Sequence, residues 1–297
     1  PIGKVAIAGT EMYCNQGFKN LICSDMLHNK FLFWYLKGKT EYLNSLGREA
    51  TFKEISKSIV ENIKIPLPPL EIQRQIAKTL DTVAELLTLR KQQLAELDRL
   101  IKSIFYDMFG DPFENPKRWG ISRLSEVATI TMGQSPSGSS YNNKGIGIPL
   151  LNGPTEFGEK YPVEKQWTTE PTKICQKDDI LFCVRGATAG RLNIADKEFC
   201  IGRGLASIRP KQKEMQSYMY LYLQMMYSYF QNTSNGSTFI NISSDRLNNL
   251  PIFKVDIDTQ KKFSIIVSNI EQQKTLVRKA IDETQTLFDS LMSQYFD

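Results

Sequence analysis

Residues 76–108 read IAKTLDTVAELLTLRKQQLAELDRLIKSIFYDM. Within them Ile76, Leu80, Val83, Leu87, Arg90, Leu94, Leu97, Ile101, Ile104 and Met108 follow alternating steps of four and three residues. Only Arg90 breaks an otherwise apolar seam. A heptad pattern sustained over this length predicts a coiled-coil helix rather than an ordinary surface helix. Pro68 and Pro69 mark its start, and Gly110 with Pro112 marks its end. A helix of about 40 residues would be ~60 Å long.

Working outward, the same helix occurs twice. Residues 1–110 align without a gap onto 188–297 at a constant offset of 187, with at least twenty identical positions. Gly3/Gly190, Tyr35/Tyr222, Thr51/Thr238, Phe52/Phe239, Ser56/Ser243, Gln73/Gln260, Leu89/Leu276, Glu96/Glu283, Ser103/Ser290 and Phe109/Phe296 are among them. Chance alone would give about six, so the two stretches are copies of one domain. The second helix follows as Phe263, Val267, Ile270, Lys274, Val277, Ile281, Thr284, Phe288, Leu291 and Tyr295, with Lys274 and Thr284 as its polar positions. A duplicated domain suits a pseudo-two-fold arrangement and a target that itself comes in two parts. The first copy lacks a counterpart of residues 111–187, about 77 residues, which leaves two expectations open: a fragment of a longer protein or a naturally shortened form.

The organisation that follows is α+β: β-rich, mixed lobes joined by two long coiled-coil helices. Residues 1–65 are the remnant of a first lobe, 66–110 the first helix, 111–257 a complete lobe and 258–297 the second helix. The complete lobe shows strand-like runs at 128–132, 180–184, 191–194 and 204–208, and a helix near 214–231. The remnant is expected to hold only the late strands and the helix around Phe31–Leu36. The polar seam positions Arg90 and Lys274 are expected where the seam is wet or where another subunit docks.

Composition bounds the function. A net charge of +5 and a pI near 8.8 favour an anionic partner weakly. No run approaches the ~18 apolar residues of a membrane span, and no signal peptide opens the chain. Cys14, Cys23, Cys175, Cys183 and Cys200 form no CxxC pair. They read as buried, reduced thiols of a cytoplasmic protein. With His28 as the only histidine, neither a zinc site nor a catalytic triad is supported.

Catalytic motifs are missing. Gly133 to Gly138 has P-loop glycine spacing, but Ser139 and Ser140 replace the Lys-Ser/Thr pair. Neither Leu67-Pro-Pro-Leu70 nor Asp111-Pro-Phe113 matches the Asn/Asp-Pro-Pro-aromatic tetrad of amino-methyltransferases, and no glycine-rich AdoMet loop follows a first strand. Polar loops remain as the candidate binding surface. Gln134, Ser135, Ser137, Ser139, Tyr141, Asn142 and Lys144 form one run. Arg185, Arg191 and Arg203 lie near strand ends, and Asn235 and Asn241 belong to a third cluster. Such groups contact phosphates or base edges, Arg with guanine and Asn or Gln with adenine. Each is equally compatible with an ordinary solvated loop.

Four separated motifs carry a family resemblance. Residues 65–77 read IPLPPLEIQRQIA and run into the heptads, and GQSPS stands at 133–137. DILFCVRG stands at 179–186, and GSTFINIS at 236–243. Together, in this order, they resemble type I restriction–modification specificity subunits. Two departures are the missing first half of the leading lobe and the weak match of IFKVDI at 252–257. The resemblance implies a non-catalytic subunit that recognises a bipartite double-stranded DNA target. It implies that each lobe is a target recognition domain reading one half, while the two helices pair antiparallel, set the gap and dock DNA methyltransferase (modification) subunits. Those partners carry AdoMet, none being expected in this chain, and a restriction motor-nuclease subunit joins them. The alternatives are a coiled-coil adaptor that self-associates, a silent recombination cassette, and an autonomous methyltransferase, which the missing motifs disfavour.

Overall fold

The computed structural model describes residues 2–47, 55–232 and 240–297. In chain order it opens with the helices α1 (Asn29–Gly38), α2 (Thr40–Ser45), α3 (Lys57–Glu61) and α4 (Leu70–Phe109). There follow β1 (Gly120–Arg123), α5 (Leu124–Val127), β2 (Ala128–Met132), β3 (Tyr141–Asn142), β4 (Ile148–Leu151) and β5 (Trp167–Thr168). Next come β6 (Ile174–Cys175), β7 (Ile180–Cys183), β8 (Leu192–Ile194), β9 (Phe199–Ile201) and β10 (Leu205–Pro210). The chain closes with α6 (Gln216–Met225), α7 (Tyr227–Asn232), α8 (Ser244–Asn248), β11 (Pro251–Lys254) and α9 (Ile257–Phe296). The expected helix near 214–231 is thus two helices, broken at Met226.

Two compact units result, Pro1–Glu96 with Gln273–Asp297, and Leu97–Gln272. Each long helix begins in one unit and ends in the other. In the second unit, β2-β10-β7-β8 form an antiparallel sheet, and β3-β5-β4-β9-β6 form a mixed sheet in which β4 and β9 run parallel. Its core joins Phe182, Ile208, Tyr218, Tyr222 and Phe253 to the helix residues Ile101, Phe105, Phe109, Phe263 and Ile270. Phe109 lies 4.7 Å from Tyr218 and 5.0 Å from Phe263, centroid to centroid.

The first unit repeats this contact with the helices exchanged. Phe296, the counterpart of Phe109, meets Phe31, the counterpart of Tyr218, at 5.5 Å. Leu80 and Ala77 share that core with Phe288, Leu291 and Phe296. Further along, Arg90 reaches Ala280 and Thr284, so the helices run antiparallel. Leu80, Val83, Leu87, Ile101, Ile270 and Val277 are buried, while Leu94, Leu97, Val267, Ile281 and Phe288 are half-buried.

The helix starts are built alike in both copies. Gln73 Nε2 donates to Pro68 O at 2.8 Å, and Gln260 Nε2 donates to Val255 O at 2.8 Å. Gln73 also binds Met26 O and accepts from His28 N, tying the start of α1 to α4. Ser56 and Ser243 cap α3 and α8 by accepting from Ile59 N and Arg246 N. Gly110, at φ +81°, ends α4 in the left-handed conformation that favours glycine.

Three expectations need correction. The late strands of the first copy are not formed: residues 2–27 contain no strand among those described. Their counterparts β8, β9 and β10 pair with strands drawn from 128–183, and the first copy contains no equivalent of those strands. For the same reason Cys14 is exposed and Cys23 only half-buried, leaving Cys175, Cys183 and Cys200 as the buried thiols. Burial pushes the Cys175 thiol up to about 12. Lastly, of the two settings expected for the polar seam, water or a docked subunit, the first does not apply to the buried Lys274, while Arg90 is half-buried. The Arg90 guanidinium donates to Ala280 O and Thr284 Oγ1, and Lys274 is only 7% exposed. No helix of the described residues is long and apolar enough to cross a membrane.

Candidate nucleic-acid interface

The candidate residues are presented by loops at strand ends, and backbone hydrogen bonds decide which of them meet. Val184 N, just past β7, donates to Gly204 O at 2.9 Å, while Val184 O accepts from Ile242 N at 2.8 Å. Gly186 N donates to Ile240 O, and Arg185 faces Asn241 in an isolated antiparallel bridge. Arg185, Arg203 and Asn241 therefore flank one junction, and all three are exposed.

The loop after β2 joins them. Gln134 N donates to Ile201 O, and Arg203 N donates to Ser135 Oγ at 3.2 Å. This close approach requires a glycine at 133, because a Cβ there would overlap the carbonyl of Gly202. Ser135, Arg203, Arg185 and Asn241 thus come from four chain segments to one place, with exposed Gln134 beside them. Two cations and two short polar groups at one exposed strand end can grip phosphates or reach base edges. The strands beneath are fixed by Asp179, 1% exposed, whose carboxylate accepts from Arg209 Nε at 2.6 Å and Nη2 at 2.8 Å. That contact holds the Arg209 proton more tightly than usual.

The rest of the Gln134–Lys144 run forms a separate feature. Ser139, Tyr141, Asn142 and Lys144 line an open depression of about 530 Å³ together with Ile146 and Thr169. Asn142 is engaged within its own turn: Nδ2 donates to Ile146 O, and Oδ1 accepts from Lys144 N and Ile146 N. Tyr141 donates to Pro136 O at 3.3 Å, and Ser137 and Ser139 share a hydrogen bond of 2.8 Å. Lys144 is exposed.

Arg191 turns away from the junction. Its guanidinium donates to Pro154 O and Phe157 O at 3.5 Å and lies 6.0 Å from the Phe157 ring centroid. Asn235 lies outside the described residues. One contributor went unnoticed in the sequence. Asn152 packs under the Gly202–Gly204 turn and donates from Nδ2 to Gln166 Oε1 at 2.9 Å. The Asn-Gly-Pro turn at 152–154 was its only signal.

A family model described as the type I restriction modification DNA specificity domain matches residues 1–99 and 116–285. The MjaX type I restriction enzyme specificity subunit of Methanocaldococcus jannaschii is 30% identical over 315 residues, which cover 98% of this chain and 74% of that protein. A chain from a structure of type I restriction–modification complex assembly is 29% identical with a TM-score of 0.63, covering 89% of this chain and 70% of its own. The HsdS subunit of Thermoanaerobacter tengcongensis is 29% identical with a TM-score of 0.53, covering 92% and 70%.

Proposed function

The chain belongs to the type I restriction–modification DNA specificity subunits, which are not themselves catalytic, and from that premise we propose that residues 113–257 read one half of a split double-stranded DNA target. In this reading α4 and α9 set the gap between the halves and seat the modification subunits. Those partners carry AdoMet and flip the adenine to be methylated. A restriction motor-nuclease subunit joins the same assembly.

The observation that carries the reading is the junction of Ser135, Arg185, Arg203 and Asn241, where Val184 binds both Gly204 and Ile242. Arginine offers a bidentate match to guanine and asparagine to adenine, each worth about 1–3 kcal/mol of discrimination. A phosphate contact at the same place would instead act on all sequences alike.

The test is binding of this chain, assembled with its modification subunits, to its methylation site and to scrambled duplexes. Arg185→Ala and Arg203→Ala should each weaken binding to the methylation site about tenfold. Loss of selectivity would mark a base contact, and a uniform loss with a shallower salt dependence a phosphate contact. Unchanged binding in both variants would remove this junction from the interface.

A further inference from the structure

The mixed sheet carries a row of polar groups across one of its ends. β4 and β9 run parallel and finish there, while their antiparallel neighbours β5 and β6 begin there. The row runs from Gln166 ahead of β5, through Asn152 after β4 and Arg203 after β9, to Thr172 ahead of β6. Backbone bonds hold it in register. Leu150 N donates to Gln166 O and Gly202 N donates to Leu151 O, both at 2.8 Å. Thr172 Oγ1 donates to Gln134 O, so the row runs into the junction around Arg203.

Gln166 differs from its neighbours in this row. Its Oε1 accepts from Asn152 Nδ2 at 2.9 Å, while its Nε2 donates to none of the described residues. Asn152 is itself held by the Arg203 turn. A Cβ at Gly202 would come within 2.7 Å of Asn152 Oδ1, and one at Gly204 within 2.4 Å of its carbonyl oxygen. Glycine at both positions lets the two turns lie in contact. The Gln166 amide is therefore anchored at its acceptor end and has its N–H groups to give. A side chain oriented in advance loses less freedom on binding. Gln166 is neutral, and the Glu156 carboxylate sits on the Asn152 turn, where it accepts from Gly153 N at 3.0 Å. That negative charge opposes a phosphate and favours a base edge. Strands lie ~4.8 Å apart, so Gln166, two strands from Arg203, stands about 10 Å along the row. Three base-pair steps of ~3.4 Å span the same length, so both residues reach one half-site.

We propose that Gln166 reads an adenine in the major groove, with Asn152 as the positioning residue that holds its amide. The assignment rests on the functional reading above, which puts DNA at the adjoining junction. Gln166 Nε2 donates to adenine N7, and the second lone pair of Oε1 accepts from the N6 amine. Guanine presents O6 in place of that amine and would meet Oε1 acceptor against acceptor. Fixing the amide thus makes adenine the match.

The experiment measures binding of the full chain, assembled with its modification subunits, to duplexes of its own methylation site. Each adenine of either strand is replaced in turn by 7-deazaadenine, which lacks the N7 acceptor. For the unaltered chain, the position read by Gln166 should lose about tenfold in affinity. Gln166→Leu should bind the natural site about tenfold more weakly, and the 7-deazaadenine penalty should vanish at that position alone. Gln166→Glu keeps the size of the side chain and the bond from Asn152 but has no N–H, so it should do the same. Asn152→Ala should shrink the penalty at that position and leave the others as they were. Penalties that both Gln166 variants leave intact at every position, or a uniform loss on every duplex, would overturn the assignment. Unchanged binding by Arg185→Ala, Arg203→Ala and both Gln166 variants would overturn the functional reading as well.

Discussion

Asp256 shows how single residues set the long helices. Its Oδ1 accepts from Thr259 N and its Oδ2 from Thr259 Oγ1, both at 2.8 Å, at the start of α9. These hydrogen bonds hold the Asp256 carboxyl below the usual carboxylate range. A depressed native value means the stabilisation is complete above the unfolded value of about 3.9 and fades as the pH falls through the native one. Asp256→Ala should therefore lower the melting temperature at pH 7, and the gap to the unaltered chain should close below pH ~4. A gap that stays constant down to pH ~2.5 would show that the charge plays no part. At the same scale, sequence alone could single out Arg185, Arg203, Ser135 and Asn241 as polar loop residues. Their meeting was not legible, because it depends on hydrogen bonds from Val184 to segments far away in the chain. Nor was it legible that Asn142 and Arg191 bind their own surroundings, since that depends on local loop geometry.

The elements were far more legible. Heptad spacing, a proline pair and a glycine stop located α4, and the repeat located α9. Both signals are local, so they survive without tertiary information. Strands depend on neighbours, and this separates the two copies. β10 forms because β2 and β7 flank it, whereas the matching stretch around Phe18 and Leu21 stays exposed. The seam likewise has an unequal distribution of energy. Leu80, fully buried among Trp34, Ala77 and Phe296, should cost about 2–5 kcal/mol when cut to alanine. Arg90→Met should cost less, because Thr284 Oγ1 keeps its own bond to Ala280 O at 2.7 Å and is not orphaned. Denaturant melts of the two variants check the order, and a larger loss for Arg90→Met would mean the polar contact dominates the seam.

At the scale of the whole molecule, one duplication supplies both units. The end of α4 meets Tyr218 and the end of α9 meets its counterpart Phe31, so each copy completes the aromatic core of the other. The helices hold these contacts in common, while the candidate DNA-reading junction lies wholly within residues 135–241. Such a division predicts that target choice and spacing can be altered separately. The most direct test exchanges residues 113–257 for the matching lobe of a related specificity subunit and maps methylated adenines by sequencing. The account predicts that one half of the methylated site changes while the other half and the gap stay as they were. An altered gap, or a site left wholly intact, would contradict it.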